Sequence, residues 1–152
     1  MTLAVASPVE GTVVGLHRGP DVVFRDELVG AGAAVEPPAT TDRTVVLAPV
    51  AGTLATLRPH AFVVATADGV GILVHVGIDT VGLRGAGFEL HVSRGDTVEQ
   101  GTPVLTVDLA SVRAAGLAVT CPVVVLDAPA GSVRTPTGEA VRAGVELFRW
   151  AP

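Results

Sequence analysis

A histidine lies inside an apolar run of the sequence, in the stretch LVHVGIDTV at Leu73–Val81. His75 has a valine on each side and is followed by Gly77, Asp79 and Thr80. A neutral imidazole nitrogen is a nucleophile near neutral pH, because the unperturbed pKa of histidine is about 6.5. The stretch therefore combines a candidate nucleophile with a glycine, an acid and a hydroxyl.

If this stretch is a β-strand, its side chains alternate between two faces. Leu73, His75 and Gly77 are then predicted to point one way. The aliphatic residues between and after them are predicted to point into the core: Val74, Val76 and Ile78. His75 is expected in a shallow apolar patch where water is scarce and a partner can dock. From this pattern alone, a buried, hydrogen-bonded histidine without a function is the alternative.

The elements that must position this histidine are predicted to be strands. Valine-rich runs bounded by Gly, Pro and Asp predict strands at Val45–Leu47, Phe62–Ala65, Ile72–Val76, Val104–Val107 and Val123–Leu126. The chain has 18 glycines and 11 prolines, so turns are dense. This favours an all-β, antiparallel sandwich or barrel with short helical turns. Weak helical candidates are Asp26–Val29 and Leu109–Ala115, the second capped by Asp108.

The sequence also contains internal repeats. SPVEGTV at Ser7–Val13 returns as APVAGTL at Ala48–Leu54, with a fainter echo in APAGSV at Ala128–Val133. GDTVEQGTPVL at Gly95–Leu105 returns as GEAVRAGVELF at Gly138–Phe148. Such repeats predict related β-motifs folded into one core. We expect residues 1–152 to form a single domain, a usual size for one core.

Composition excludes several classes of function. The net charge of -5 argues against a general nucleic-acid binder, which needs a basic face. All 10 basic residues are arginine, which excludes mechanisms that need a lysine. The single cysteine, Cys121, is interpreted as a small buried apolar residue. No membrane-spanning run or secretory signal is apparent, so we expect a cytoplasmic protein without direct membrane insertion.

Four segments together resemble one known family. They are GVGILVHVGIDTV at Gly69–Val81, the PDxxF and G-x-G segment within Gly19–Pro37, PHAFVV at Pro59–Val64, and the run from Leu83 to Leu109. In order and content they are similar to the glucose-type IIA domain of the bacterial phosphoenolpyruvate-dependent sugar phosphotransferase system. The repeats resemble the duplicated hybrid motif, the β-sandwich-like fold of that family. One departure is Arg58, where the family has another polar residue two positions before its second histidine.

The resemblance implies roles for the candidate residues. His75 is the expected phosphoryl acceptor, and His60 is the partner that stabilises the phosphate. Backbone N–H groups near Gly77 are candidate phosphate donors, because a glycine has no Cβ to obstruct a phosphate. Thr80 is expected to orient His75 or His60 through its hydroxyl.

The resemblance also implies a docking surface around the site. Asp21 and Asp79 are the expected acidic rim for arginines of partner proteins, with turn formation as the alternative role. Phe24 and Phe62 are the candidate apolar ring, with core packing as the alternative. His17 and His91 lie outside the matching motifs and are expected at surface or edge positions.

The implied function is that of a phosphocarrier in sugar uptake. It accepts a phosphoryl group from HPr and passes it to the EIIB domain of a sugar permease; glucose, N-acetylglucosamine and β-glucoside remain open as the sugar. The alternative is a regulatory binding protein whose partner enzymes or transporters depend on its phosphorylation state. No cofactor or intrinsic metal is expected, although His60 and His75 can share zinc with a partner's carboxylate.

Two other classes share parts of the pattern. Lipoyl- or biotinyl-type carriers share the pattern at Gly95–Gly101, but they need a lysine, which this chain lacks. Zinc endopeptidases of the LytM type share a similar duplicated motif, and His75 with Asp79 reproduces an H-x-x-x-D spacing. Those enzymes also have an H-x-H pair, which is absent among the four histidines here.

Overall fold

The computed structural model describes residues 2–16, 27 and 29–152. Within them the chain forms β-strands, one α-helix and a 3₁₀ turn. The strands are β1 Leu3–Ala6, β2 Gly11–Val14, β3 Gly30–Glu36, β4 Arg43–Leu47, β5 Gly52–Arg58, β6 Ala61–Ala65, β7 Gly71–His75, β8 Phe88–Leu90, β9 Thr97–Val98, β10 Pro103–Asp108, β11 Cys121–Leu126, β12 Ala140–Val141 and β13 Glu146–Trp150. The helix α1 is Leu109–Ala114, and the 3₁₀ turn is Thr80–Leu83.

The strands form one large sheet and two small ones. The eight-stranded sheet has the order β12-β2-β3-β11-β7-β6-β5-β9. β4-β10-β8 and β1-β13 form the small sheets. All of these pairings are antiparallel, so the predicted all-β antiparallel fold with short helical turns is confirmed. None of the helices in the described ranges is long and apolar enough to cross a lipid bilayer.

The two sequence repeats make equivalent hydrogen bonds. In the first copy, the Val13 N–H donates to the Glu139 carbonyl at 2.9 Å. In the second copy, the Leu54 N–H donates to the Asp96 carbonyl at the same 2.9 Å. Each repeat of the Pro-Val-x-Gly-Thr type is thus paired with one repeat of the Gly-Asp/Glu type. The predicted related β-motifs are confirmed by this correspondence.

The two copies also contact each other symmetrically. The Ala6 N–H donates to the Pro49 carbonyl at 2.9 Å, and the Leu47 N–H donates to the Pro8 carbonyl at 2.9 Å. Ala6 and Leu47 occupy matching positions in the two copies, as do Pro8 and Pro49. The fainter third echo at Ala128–Val133 forms turns and no strand.

Residues from both copies share one hydrophobic core, which includes Phe62, Ile72 and Val74. A second, smaller apolar cluster of Leu16, Ala34, Ile78 and Val124 lies apart from it, with Leu73 packed against it. Because Leu73 and Val74 alternate on β7, the two clusters lie on opposite faces of the large sheet. Leu73, which packs against the smaller cluster, lies two residues before His75 on the same face of β7, and an apolar patch around His75 stays a prediction.

The helix α1 confirms the helix predicted at Leu109–Ala115. The Asp108 carboxylate accepts a hydrogen bond from the Ser111 N–H at 3.0 Å, which satisfies a free N–H of the first turn. Beyond the helix, Gly116 has φ +79, as expected for a residue that ends a helix. Of the other helical candidate, Asp26–Val29, residues 26 and 28 lie outside the described residues.

Candidate active site

His75 is the last residue of β7 and is half-buried. Its strand partner on β6 is Ala61. The pairing continues one step further, because the Val76 N–H donates to the His60 carbonyl at 2.7 Å. The two histidines that the sequence singled out are therefore brought together by the β6–β7 hairpin.

One hydrogen bond fixes the ring of His75. Its Nδ1 lies 2.5 Å from the carbonyl oxygen of Gly77. A carbonyl oxygen only accepts, so Nδ1 carries the hydrogen and donates it. In the neutral ring the nucleophilic lone pair is then on Nε2.

Gly77 shapes the turn that presents this carbonyl. Its φ of +76 lies in the left-handed region, where a side chain is strained. A Cβ would lie 2.6 Å from Thr80 Cγ2 and 2.9 Å from the Ala118 carbonyl, so no other residue fits without displacing its neighbours. The Gly77 N–H interacts with the Cys121 thiol and lowers its pKa. The use of backbone N–H groups near Gly77 as phosphate donors stays a prediction, while the Gly77 carbonyl orients His75.

Thr80 stabilises the same turn from inside. Its side chain is fully buried, and its hydroxyl donates to the Val76 carbonyl at 2.7 Å. This bond closes the segment from Val76 to Thr80, which contains Gly77. The hydroxyl thus bonds the backbone of the turn that follows His75, and its predicted role in orienting His75 or His60 stays a prediction.

His60 lies in a two-residue turn, Pro59–His60, between β5 and β6. Its ring centroid is 5.4 Å from that of His75, and the two planes meet at 71°. Burial lowers the pKa of His60 below its usual value, and the charges of His75 and Arg58 lower it further. His60 is thus neutral near pH 7, with one N–H to donate.

The alternation predicted from the sequence ends at Gly77. Val74 and Val76 point into the main core as predicted. Ile78 was predicted to join them, but it packs in the smaller cluster with Val124. The left-handed φ of Gly77 breaks the strand geometry, so the side chains beyond it no longer alternate.

The predicted docking residues have different outcomes. Asp79 is exposed, has a left-handed φ of 60, and does not cap the 3₁₀ turn that follows it. Phe62 is fully buried in the main core, so its predicted place in an exposed apolar ring is wrong. Asp21, Phe24 and His17 lie outside the described residues.

The remaining described histidine and the cysteine were not predicted to bind the phosphoryl group. His91 is exposed, and its Nε2 lies 2.6 Å from the Thr106 hydroxyl, consistent with the expected surface position. Cys121 is fully buried, as predicted, and burial raises the pKa of its thiol to about 12. In the described part of the chain, no group of three or more His, Cys, Asp or Glu side chains can hold a metal ion. Zinc shared between His60, His75 and a partner stays a prediction.

Comparison with known proteins identifies the family. The model of the family described as "phosphoenolpyruvate-dependent sugar phosphotransferase system, EIIA 1" matches residues 3–130. A glucose-specific EIIA component of Bacillus cereus is 34% identical over 143 residues, which cover 92% of this chain and 84% of that protein. The N-acetylglucosamine-specific EIICBA component of Klebsiella pneumoniae is 42% identical over 123 residues. That match covers 80% of this chain and only 18% of the larger protein.

The fold agrees with the sequence match. The solved structure of glucose permease IIA from Mycoplasma capricolum superposes with a TM-score of 0.85 at 34% identity, over 98% of this chain and 96% of that one. The chain therefore belongs to the EIIA 1 family of the phosphoenolpyruvate-dependent sugar phosphotransferase system. Within that family it is a IIA domain of the glucose type, as the four sequence segments indicated.

Proposed function

We propose that this protein is a cytoplasmic phosphocarrier that accepts a phosphoryl group from phospho-HPr on His75 and transfers it to an EIIB domain. The observation that carries this proposal is the hydrogen bond between His75 Nδ1 and the Gly77 carbonyl. It places the nucleophilic lone pair on Nε2 of a half-buried ring. Fusion of a related domain to EIIC and EIIB in the Klebsiella pneumoniae protein supports an EIIB domain as the acceptor.

The accepting step follows from this tautomer. The Nε2 lone pair of His75 forms the new N–P bond while the donor's P–N bond breaks, and the electron pair of that bond stays on the donor nitrogen. The Nδ1 proton remains on the ring, where the Gly77 carbonyl stabilises the resulting positive charge. The N–H of neutral His60 compensates charge on the phosphoryl oxygens.

The proposal is tested by mapping the phosphoryl group. Incubation with phosphoenolpyruvate, enzyme I and HPr is expected to add one acid-labile, base-stable phosphoryl group to His75. Mass spectrometry under neutral or basic conditions locates it. Omission of HPr is the control and is expected to leave the protein unmodified. A stable phosphoryl group on His60, or none on the wild-type protein, contradicts the proposed function.

Asp79 is expected to contribute to docking. Its carboxylate is exposed, does not cap the adjacent turn, and follows the Gly77 turn directly. Charges at the rim of an interface act mainly on the association rate, and salt screens them. Asp79→Asn is therefore expected to lower the second-order rate of phosphorylation by phospho-HPr about two- to fivefold at low salt, with a smaller effect at high salt. Stopped-flow measurements across a salt series test this.

Asp68→Asn is the matched control. Asp68 is also exposed, but it lies in the turn between β6 and β7, at the end of these strands opposite His75. It is expected to leave the rate unchanged at every salt concentration. An equal effect of both substitutions would indicate a general effect of net charge. An unchanged rate for Asp79→Asn would leave Asp79 with a role in the turn alone.

A further inference from the structure

Arg58 lies in the same row of the large sheet as His75. On β5 it is the register partner of Ala61, and on β7 His75 is the partner of that same Ala61. Residues directly opposite each other in an antiparallel sheet point to the same face. Arg58, Ala61 and His75 therefore project from one face, the face opposite the main core.

The distance between the backbones of Arg58 and His75 is one that an arginine side chain can largely span. Neighbouring strands are about 4.8 Å apart, so the backbones of Arg58 and His75 are separated by about 10 Å. Between them stands only the methyl group of Ala61. An extended arginine side chain spans most of this distance, and its charged end remains in water while its stem covers the small residue.

The charges around Arg58 also suit an anion. Its side chain is exposed and lines a cavity of about 190 Å³ with Thr56, Leu57 and a second arginine, Arg94. Within residues 2–16, 27 and 29–152, neither arginine forms an ion pair with a carboxylate. Two adjacent unpaired arginines are unexpected in a chain with a net charge of -5.

The pKa of His60 also responds to the charge of Arg58. The pKa of His60 is lowered first by burial, then by the charge of His75, and also by that of Arg58. The guanidinium is thus near enough to oppose a positive charge on His60. The same position stabilises a negative charge on a group bound between the two rings.

We propose that Arg58 contacts the phosphoryl group on His75 and compensates the charge of its non-bridging oxygens. This inference rests on the proposed function, since it adds a phosphate-binding group to that site. The guanidinium stays protonated throughout and transfers no proton. It matches phosphate oxygens geometrically and favours the dianionic form of the phosphoryl group.

The second ionisation of the phosphoryl group provides a direct test. A guanidinium in contact with a phosphate has its charge about 4–6 Å from the charge of the phosphate, and even at the dielectric constant of water this lowers the pKa of the phosphate by about half a unit or more. Arg58→Gln is therefore expected to raise this pKa by about half a unit, measured by ³¹P NMR titration of phospho-His75. Arg58→Lys is expected to retain most of the wild-type value. Arg43→Gln removes an exposed arginine of β4, outside the large sheet, and is expected to change nothing.

The phosphorylated protein is prepared in two ways. Phosphorylation by phospho-HPr tests the proposed function and also provides phosphorylated protein for the Arg58 titration. The small-molecule donor phosphoramidate phosphorylates histidines without any protein partner. The ³¹P signal of phospho-His75 is assigned by its absence in His75→Gln. If phosphoramidate labels His75 and phospho-HPr does not, the proposed function fails and the titration still tests Arg58.

A second measurement separates a charge effect from a structural one. The pKa of His60 in the unphosphorylated protein, followed by ¹H NMR, is expected to rise in Arg58→Gln and to stay low in Arg58→Lys. Thermal unfolding identifies any loss of folding. A phosphate pKa that is equal in folded Arg58→Gln and in the wild-type protein overturns the proposal, whatever happens to His60. Failure of both donors to label His75 overturns both proposals.

Discussion

His75→Gln is expected to accept no phosphoryl group from phospho-HPr, a complete loss of the first half-reaction. The lone pair of a glutamine amide nitrogen is delocalised into its carbonyl, so this side chain cannot form the N–P bond. Nothing else in the site replaces it, because His60 is held in a turn and lacks the bond to Gly77 that fixes the tautomer of His75. Incorporation of radiolabelled phosphoryl groups from phosphoenolpyruvate measures this loss.

His91→Gln is the matched control for this substitution. His91 is an exposed histidine bonded to Thr106, outside the β6–β7 hairpin, and its replacement is expected to leave phosphorylation intact. His75 is half-buried at a strand end, so the His75→Gln protein is expected to stay folded. Circular dichroism verifies this. Residual labelling of folded His75→Gln would show that another side chain accepts the phosphoryl group.

Strands with strong β-propensity were predictable from the sequence. The valine runs at Val104–Val107 and Val123–Leu126 lie in β10 and β11, because β-branched residues fit a pleated, buried surface. β3 was not predicted as a strand, since its sequence GAGAAVE has only one such residue, Val35. It is nevertheless a buried strand between β2 and β11.

The composition of β3 has a steric cause that only the fold reveals. A Cβ on Gly30 would lie 1.9 Å from the Val125 carbonyl, and one on Gly32 would lie 2.0 Å from the Val123 carbonyl. The close approach of β11 therefore requires glycine at both positions. A local propensity argument cannot anticipate this, because the neighbour that imposes it is distant in the sequence.

The candidate site was predictable in its residues but not in their contacts. The motif around His75 and the pair with His60 were found by resemblance, and the structure brings the two rings together. The contacts of Thr80 depend on the left-handed conformation of Gly77, which redirects the chain after β7. The position of Arg58 depends on strand register, which the tight Pro59–His60 turn sets.

His60 is expected to matter less for accepting the phosphoryl group than for releasing it. In the accepting step the donor protein brings its own groups around the phosphorus. The end point is driven by phosphoenolpyruvate, so a slower reaction still reaches completion. His60→Gln is therefore expected to become fully phosphorylated on His75 with phosphoenolpyruvate, enzyme I and HPr.

The transfer from His60→Gln to an EIIB domain is expected to be slowed about 10²–10³-fold, because a hydrogen bond directed at developing charge contributes a few kcal/mol in the transition state. Neutral His60 supplies that N–H near pH 7, since burial and the nearby charges of His75 and Arg58 keep its pKa below its usual value. Glutamine has a similar length, but its amide cannot reproduce the edge-to-face placement of a ring 5.4 Å from His75.

Single-turnover transfer from purified phosphoprotein to EIIB in a rapid-quench apparatus measures the rate, with His91→Gln as the control. An equal loss of both half-reactions in His60→Gln, or transfer to EIIB at the wild-type rate, would show that His60 does not act specifically in the transfer step.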